Sequence, residues 1–577
     1  MLGLAPWRRG WRLLWKFPAV WWAFAATGVV LVLASTITPL YVSAAASASV
    51  ADQESGRCLA AAGLQAHGRG AVDRSRTPTA VAHEVLGRAA TVTSAVDGAR
   101  AHLGAPLVSV VGGPLDLLPG PHHEFDQTVE LVYRDQAEQH ITVLERVPGK
   151  GFLLTKEAAA AGEVKPGQTM TFRAVDGRAV RASVVGIYTD MAQQPRTAFW
   201  CSLDTLIHQR DPLGNNVPPP LLLATDTGSA LDLLHDVRRG SSLDVEAYVE
   251  RPLMPGLRVD QAEQALAITQ NAQRQASRDQ QTFPAPTVRT ELAFIVQRSH
   301  ALRSALLPPV AALSVGAALA ALGLVAVAGS FWAERRRTEL DVLSSRGVGP
   351  AAQALKAAIE CAPPLLLGLL VGSALSLVVV RALGPDGDPA RSSMHLAAGL
   401  AGAVWLVSLL VLGGCVAVRR RAPRPRQGGA RTGVALLSLE LVGLVASLIA
   451  LGRVSATPVD SARSALPTFG LARLLLPLSI LVLGALVLVR LLTMALPGIR
   501  ARGQGWPLTI LLAVQRLAAV PRVPAALALG VAISAGTGVF AGGVADSLQR
   551  TVDAKAQVFV GSDTAFELLG QQKVPKG

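Results

Sequence analysis

The stretch ERRRTELDVLSSRGVGPAAQALKAAIECAPPLLLGLLVG, from Glu334 to Gly372, decides how the chain is organised. Its first half is basic and amphipathic. Its second half is apolar, with Gly368 and Gly372 one helical turn apart. A long apolar run ends just before it, at Trp332, and another continues out of it to Leu383. The pattern predicts an elbow, residues 334–358, between two membrane-spanning helices, at a place where a soluble partner could push.

Composition agrees with a membrane chain. Of 577 residues, 50% are apolar and 16% charged, against about a quarter charged in soluble domains. Runs of roughly 20 apolar residues recur, the length a helix needs to cross a bilayer of about 30 Å. The net charge of +14 is carried by arginines at the ends of apolar runs, which is an orientation signal rather than a nucleic-acid footprint. No basic stretch has interleaved aromatics of the kind that line a single-strand groove.

Seven spans are predicted. The first runs from Ala19 to about Ser43, behind Arg8, Arg9, Arg12 and Lys16, so the amino terminus lies inside. Its length favours an uncleaved anchor over a signal peptide. The others are Ala305–Trp332, Ile359–Leu383, His395–Val418, Thr432–Leu451, Leu471–Leu496 and Pro524–Val544. Basic loops, at Arg335–Arg346, Arg419–Arg431 and Arg500–Arg522, alternate with poorer ones, as the positive-inside rule requires. The expected fold is thus a polytopic α-helical membrane protein of about seven spans, with a large α+β extracytoplasmic domain between spans 1 and 2. The boundaries are 1–43 for the amino terminus and span 1, 44–298 for the outer domain, and 299–420 for spans 2–4. Residues 421–500 hold a linker and spans 5–6, and 501–577 hold span 7 and the start of a second, truncated repeat.

Within 44–298 no stretch could span. Thr79–His102 has helical periodicity. Thr128–Tyr133 and His140–Arg146 alternate as a hairpin around Arg134-Asp135-Gln136. Gly151–Thr155 and Leu221–Ala224 read as buried strands. Thr169–Ala174 and Val180–Ile187 form a second hairpin, with Asp176-Gly177 as a primed-turn signal. Val259–Gln280 reads as a surface helix, and another begins near Thr290 and runs into span 2, where Pro308-Pro309 would kink it. Four cysteines are present. Cys361 and Cys415 lie in apolar runs as core residues. In an extracytoplasmic domain Cys58 and Cys201 can form a disulfide, although sequence separation sets no distance between them. No Cys/His spacing suits a metal, and His122-His123 reads as solvated loop.

Trp11–Val50 resembles Gln515–Asp553, as though a second four-span unit had begun. A second outer domain and three more spans are therefore expected beyond Gly577. Small residues at Gly368 and Gly372, and again at Gly530, Ser534, Gly538 and Gly542, allow close helix approach. Glu440 and Arg490 lie at similar depth in antiparallel spans 5 and 6. An isolated charge there costs on the order of 3 kcal/mol, which predicts an ion pair. The alternative is that Arg490 snorkels and Glu440 is protonated or meets another subunit.

No Gly-Lys-Ser/Thr phosphate loop occurs, the Gly-Lys at 149–150 being followed by Gly and Phe, and no nucleophile elbow, HExxH or paired carboxylate set is visible. The chain reads as non-catalytic and without cofactors, so its energy comes from a partner or a gradient. The elbow, with Arg336, Glu339-Leu340, Leu343, Gly347, Glu360, Gly368 and Gly372, resembles the signature of the FtsX-like permease family of ABC transporters. Gly151–Ile187, with Val164-Lys165-Pro166-Gly167-Gln168, is similar to that family's MacB-like outer core, departing from Leu-x-Pro-Gly-Asp at the last position. The resemblance implies a dimeric cytoplasmic ABC ATPase as partner, with Arg336, Glu339, Leu340, Leu343 and Gly347 on the coupling helix it drives and Glu360 opening the next span. It also implies export or mechanotransmission in the plasma membrane, on a lipid, lipoprotein or peptide, and no nucleic acid. The other open reading is a non-transporting sensor or scaffold that regulates a cell-wall hydrolase or a signalling partner.

Overall fold

The computed structural model describes residues 18–72, 78–97, 102–119, 127–208, 219–238, 243–278 and 287–421, with isolated positions between 445 and 550. They fall into a helical unit, residues 18–48 and 299–421, and a sheet unit, residues 49–298. In chain order the elements are helix α1 (Pro18–Ser55), strand β1 (Leu64–Val72), α2 (Pro78–Ser94), β2 (Leu107–Leu117), β3 (Gln127–Arg134), β4 (Val143–Arg146), β5 (Phe152–Thr155) and α3 (Lys156–Ala161). Then come β6 (Thr169–Arg173), β7 (Ala179–Tyr188), β8 (Leu221–Ala224), α4 (Thr227–Val237), β9 (Leu243–Arg251), α5 (Val259–Arg278) and β10 (Thr287–Arg289). The chain ends its described part with α6 (Leu292–Arg335), α7 (Arg337–Ser345), α8 (Pro350–Leu383) and α9 (Arg391–Arg421).

In the sheet unit ten strands form one mixed sheet in the order β10-β1-β9-β2-β3-β8-β5-β7-β4, with β6 paired to β2 and β7. Successive side chains of a strand face opposite sides, and both sides are covered. Leu131, Leu154, Val184 and Leu222 pack with Leu231 and Leu234 of α4 on one face, while Val132, Leu153, Val185 and Leu223 pack with Trp200, Leu203 and Ile207 on the other. Burial on both faces explains why β5 and β8, FLLT and LLLA, lack the alternation of a half-exposed strand, Thr155 being the one polar residue in them.

Two sequence expectations are corrected by the strand pairing. β3 and β4 do not form a hairpin: β3 lies between β2 and β8, and β4 pairs with β7. A 3-10 turn at Ala137–His140 carries the chain between them. The β6–β7 hairpin does form, but its turn is not primed. Gly177 alone of the pair has positive φ (+83°), and its N–H bonds to Ala174 O at 2.8 Å. β2 escapes sequence reading because Gly112-Gly113-Pro114 looks like a turn. It is instead a bulge inside the strand, where a Cβ on Gly112 would stand 2.6 Å from Leu234 Cδ2 of α4.

Among the described residues four helices are long and apolar enough to cross a membrane: Pro18–Ser55, Leu292–Arg335, Pro350–Leu383 and Arg391–Ala417. The first three contain the first three predicted spans, and the fourth covers the predicted His395–Val418 up to Ala417. α6 is continuous through Pro308-Pro309. The three later predicted spans lie outside the described residues except at isolated positions, as does Glu440, the expected partner of Arg490. Gly530 and Ser534 are outside as well, and among the described residues nothing lies within 4 Å of a Cβ on Gly538.

α1 and α8 meet backbone to backbone. A Cβ on Gly368 would lie 2.7 Å from Ala25 O and 2.8 Å from Gly28 Cα, and one on Gly372 would lie 2.9 Å from Val29 O. Neither obstacle is a side-chain tip that could swing away. Gly368→Ala should therefore lower the stability of the purified full chain by about 1–3 kcal/mol, seen as a lower thermal midpoint in detergent. Gly399→Ala, at a helical position with open space around it, should leave the midpoint unchanged or raise it.

Candidate coupling site

The elbow is built from two breaks in helical backbone. α6 ends at Arg335, and Arg336 (φ −103°, ψ 20°) turns the chain into α7. The backbone bonds Arg336 N–H to Trp332 O and Leu340 N–H to Arg336 O carry across the break at 3.2 and 3.0 Å. Gly347 (φ +79°) then closes α7. Val348 N–H bonds to Leu343 O at 3.1 Å and Gly347 N–H to Ser344 O at 3.0 Å, the paired bonds of a Schellman stop, which needs a left-handed residue and so favours glycine. Gly349 is extended, as a residue before proline prefers, and Pro350 starts α8 at its first turn. Gln353 Nε2 donates to Val348 O at 3.0 Å and steadies the link.

Charge inside the elbow is arranged as a closed set. The Arg336 guanidinium donates to Glu360 Oε2 at 2.6 Å, with the two side chains 9% and 0% exposed. Lys356, one turn before Glu360 on α8, pairs with Glu339 of α7 and lies 3.8 Å from Glu360 Oε1. Arg336 also stands 3.6 Å from Glu339 and, through its guanidinium carbon, 5.4 Å from the Trp332 ring centroid. Two cations thus balance two carboxylates.

Below them Leu340 is buried with Phe24, Trp332, Ala357, Cys361, Leu365 and Leu412, and Leu343 packs at the edge of the same cluster. Leu340, one of the two leucines expected to dock, is thus 2% exposed and faces the chain's own helices. Leu340 and Leu343 of α7 face inward, as do Arg336 and the carboxylate of Glu339 that pairs with Lys356. The exposed face is made instead of Thr338, Val342 and Ser345, spaced one turn apart, with Arg337 and Arg346 beside them. Val342 is the exposed apolar residue on it, at 48%.

Residues 311–422 match the family model described as FtsX-like permease C-terminal. This segment is similar to FtsX-like permease domains. Such domains are membrane subunits of ABC transporters. The matched segment includes the whole elbow and α8, and most of α6. No curated protein matches the chain.

Outside the matched segment, the sheet unit holds Cys58 and Cys201 in a disulfide, their Cα atoms 5.4 Å apart. Next to Cys201 is a buried polar set that sequence reading misses. Arg134 and Glu250, both fully buried, pair at 3.0 Å. Arg134 also donates to Ser109 Oγ and Phe199 O, and Glu250 accepts from Ser202 and Gln65. Burial pushes the Arg134 guanidinium below its ordinary value, and the neighbouring Glu250 carboxylate opposes that. By sequence Arg134 belongs to a hairpin turn, and only its true strand pairing reveals its place. Among the described residues no group of three or more His, Cys, Asp or Glu side chains could hold a metal. His122-His123 lies outside them.

Proposed function

We propose that the chain is the membrane subunit of an ABC-type export or mechanotransmission complex in the plasma membrane, driven by a separate cytoplasmic ATPase dimer. The observation that carries this is α7. It is a short helix set between two span-length helices inside the matched segment, its inner face used up by ion pairs and the Leu340 cluster, its outer face exposed around Val342. A face of that kind suits a groove on a soluble protein. The sequence supplies no phosphate-binding loop of its own, so the force comes from the partner. Basic residues at the elbow support its placement inside. The Cys58–Cys201 disulfide supports placement of the sheet unit outside, where disulfides persist. The resemblance suggests a lipid, lipoprotein or peptide as the substance moved or sensed.

The full chain, extracted in mild detergent from the membranes of its own cell, should bring a soluble ATPase with it, and the pair should hydrolyse ATP faster than the ATPase alone. A chain that purifies without any ATP-binding protein would remove the proposal.

A further inference from the structure

We propose that the Arg336–Glu360–Lys356–Glu339 ion cluster bolts α7 to α8, so that a push on α7 is delivered first to the third span. This rests on the reading of α7 as the surface an ATPase drives, and adds to it the route by which the push leaves that surface.

Four observations converge. Lys356 and Glu360 lie four residues apart on α8 and so share one face of it. That face meets Glu339 of α7 and Arg336, the one residue between α6 and α7. Arg336 departs from helical backbone geometry, yet its side chain is held by Glu360 at 2.6 Å. Its main chain therefore belongs to the joint with α6, and its side chain is fixed to α8. Glu360 has no exposure, and among the described residues the cations that compensate it, Arg336 and Lys356, both come from this cluster. Sliding α7 along α8 would strip a buried carboxylate of its partner, which is far more costly than sliding two apolar faces past each other.

Apolar side chains of like volume would often hold two helices together as well or better than buried charges. What charges add is register, since only one alignment satisfies all four. A lever needs that property, because play between α7 and α8 would absorb the stroke. Beyond Glu360, α8 continues to Gly368 and Gly372, where it touches the α1 backbone. Motion of α8 is thus felt by α1 within the same unit.

The test uses the full chain in lipid nanodiscs with and without the ATPase that co-purifies with it. Glu360→Gln is the obvious variant, but its site is fully buried and the protein could fail to fold. Lys356→Met keeps the length and apolar stem of the side chain, and Glu339→Gln changes a carboxylate that is 43% exposed. Hydrogen exchange is read first, without ATPase. In Lys356→Met and Glu339→Gln the amides of α7 should exchange at least tenfold faster than in the wild type, with those of α8 unchanged, and Lys356→Arg should restore protection. With ATPase present, the two neutralising variants should keep it bound at wild-type stoichiometry yet lose most of the stimulation of ATP turnover.

Unchanged α7 exchange, or full stimulation in Lys356→Met, overturns the bolt. So does loss of the ATPase from these variants, because the cluster would then shape the docking surface rather than transmit from it. Failure of both variants to insert also overturns it in favour of a purely structural role. A wild-type chain that binds no ATPase refutes the functional reading instead, and leaves the bolt to be judged by exchange alone.

Discussion

Val342→Asp is expected to abolish stimulation of ATP turnover while the protein inserts at its normal level. Val342 is 48% exposed on α7 and is not a member of the buried cluster, so a carboxylate there costs the fold little. In a complex the same carboxylate would meet the apolar floor of the partner's groove. Interfaces draw most of their binding energy from a few central residues, and an uncompensated charge at the centre costs about 2–5 kcal/mol, a loss of at least tenfold in the fraction coupled. Leu340→Asp should behave differently. Leu340 is 2% exposed among Phe24, Trp332, Ala357 and Cys361, so an ionised carboxylate would be buried without a partner at a cost of about 3–5 kcal/mol. That change should reduce the amount of folded protein recovered from the membrane. Quantifying membrane-extracted protein and ATPase rate side by side separates the two outcomes. Equal recovery of both variants would contradict the inward placement of Leu340.

Removing the Cys58–Cys201 link should produce the largest loss of stability of any pair of surface-compatible changes in the sheet unit. The cysteines are 143 residues apart. Closing a loop of that size in the unfolded chain is worth roughly 5 kcal/mol in the loop-entropy account, with about 2–4 kcal/mol typical in practice. The double substitution Cys58→Ser with Cys201→Ser should therefore lower the thermal midpoint of the full chain by several degrees. Reductant should do the same to the wild type and nothing further to the variant. The disulfide joins the segment after α1 to the turn that Arg134 and Glu250 hold through Phe199 and Ser202. Its loss should loosen that turn before the strands, seen as faster amide exchange at residues 199–203.

Some of this architecture is plain in the sequence. The four span-length helices show because hydrocarbon demands long apolar runs, and water-soluble folds seldom tolerate runs of that length. The stop at Gly347 shows because a left-handed residue after an amphipathic helix has few alternatives to glycine. Strand partners do not show. Thr128–Tyr133 and His140–Arg146 alternate correctly, but alternation names a buried face and not the neighbour, and the chain takes β3 to β2 and β8 instead. The orientation of α7 is hidden for a related reason. Leu340 and Leu343 share a face, and an apolar face can seek a partner's groove or its own protein's core. Here Phe24 and Trp332, more than 300 residues apart, supply the core. The ion cluster is half legible. Lys356 and Glu360, one turn apart at the mouth of an apolar run, are a pairing signal in themselves, but their partners before the Gly347 turn require the fold.

In the proposed complex the outer face of α7 lies in the cytoplasm against an ATPase. A Val342→Cys chain in sealed membrane vesicles, labelled with a membrane-impermeant thiol cross-linker from each side in turn, tests it most directly. An adduct with an ATP-binding protein is expected when the reagent reaches the cytoplasmic side, and none from the outside. Reaction from the outside alone, or cytoplasmic labelling that never joins residue 342 to an ATP-binding protein, would contradict it.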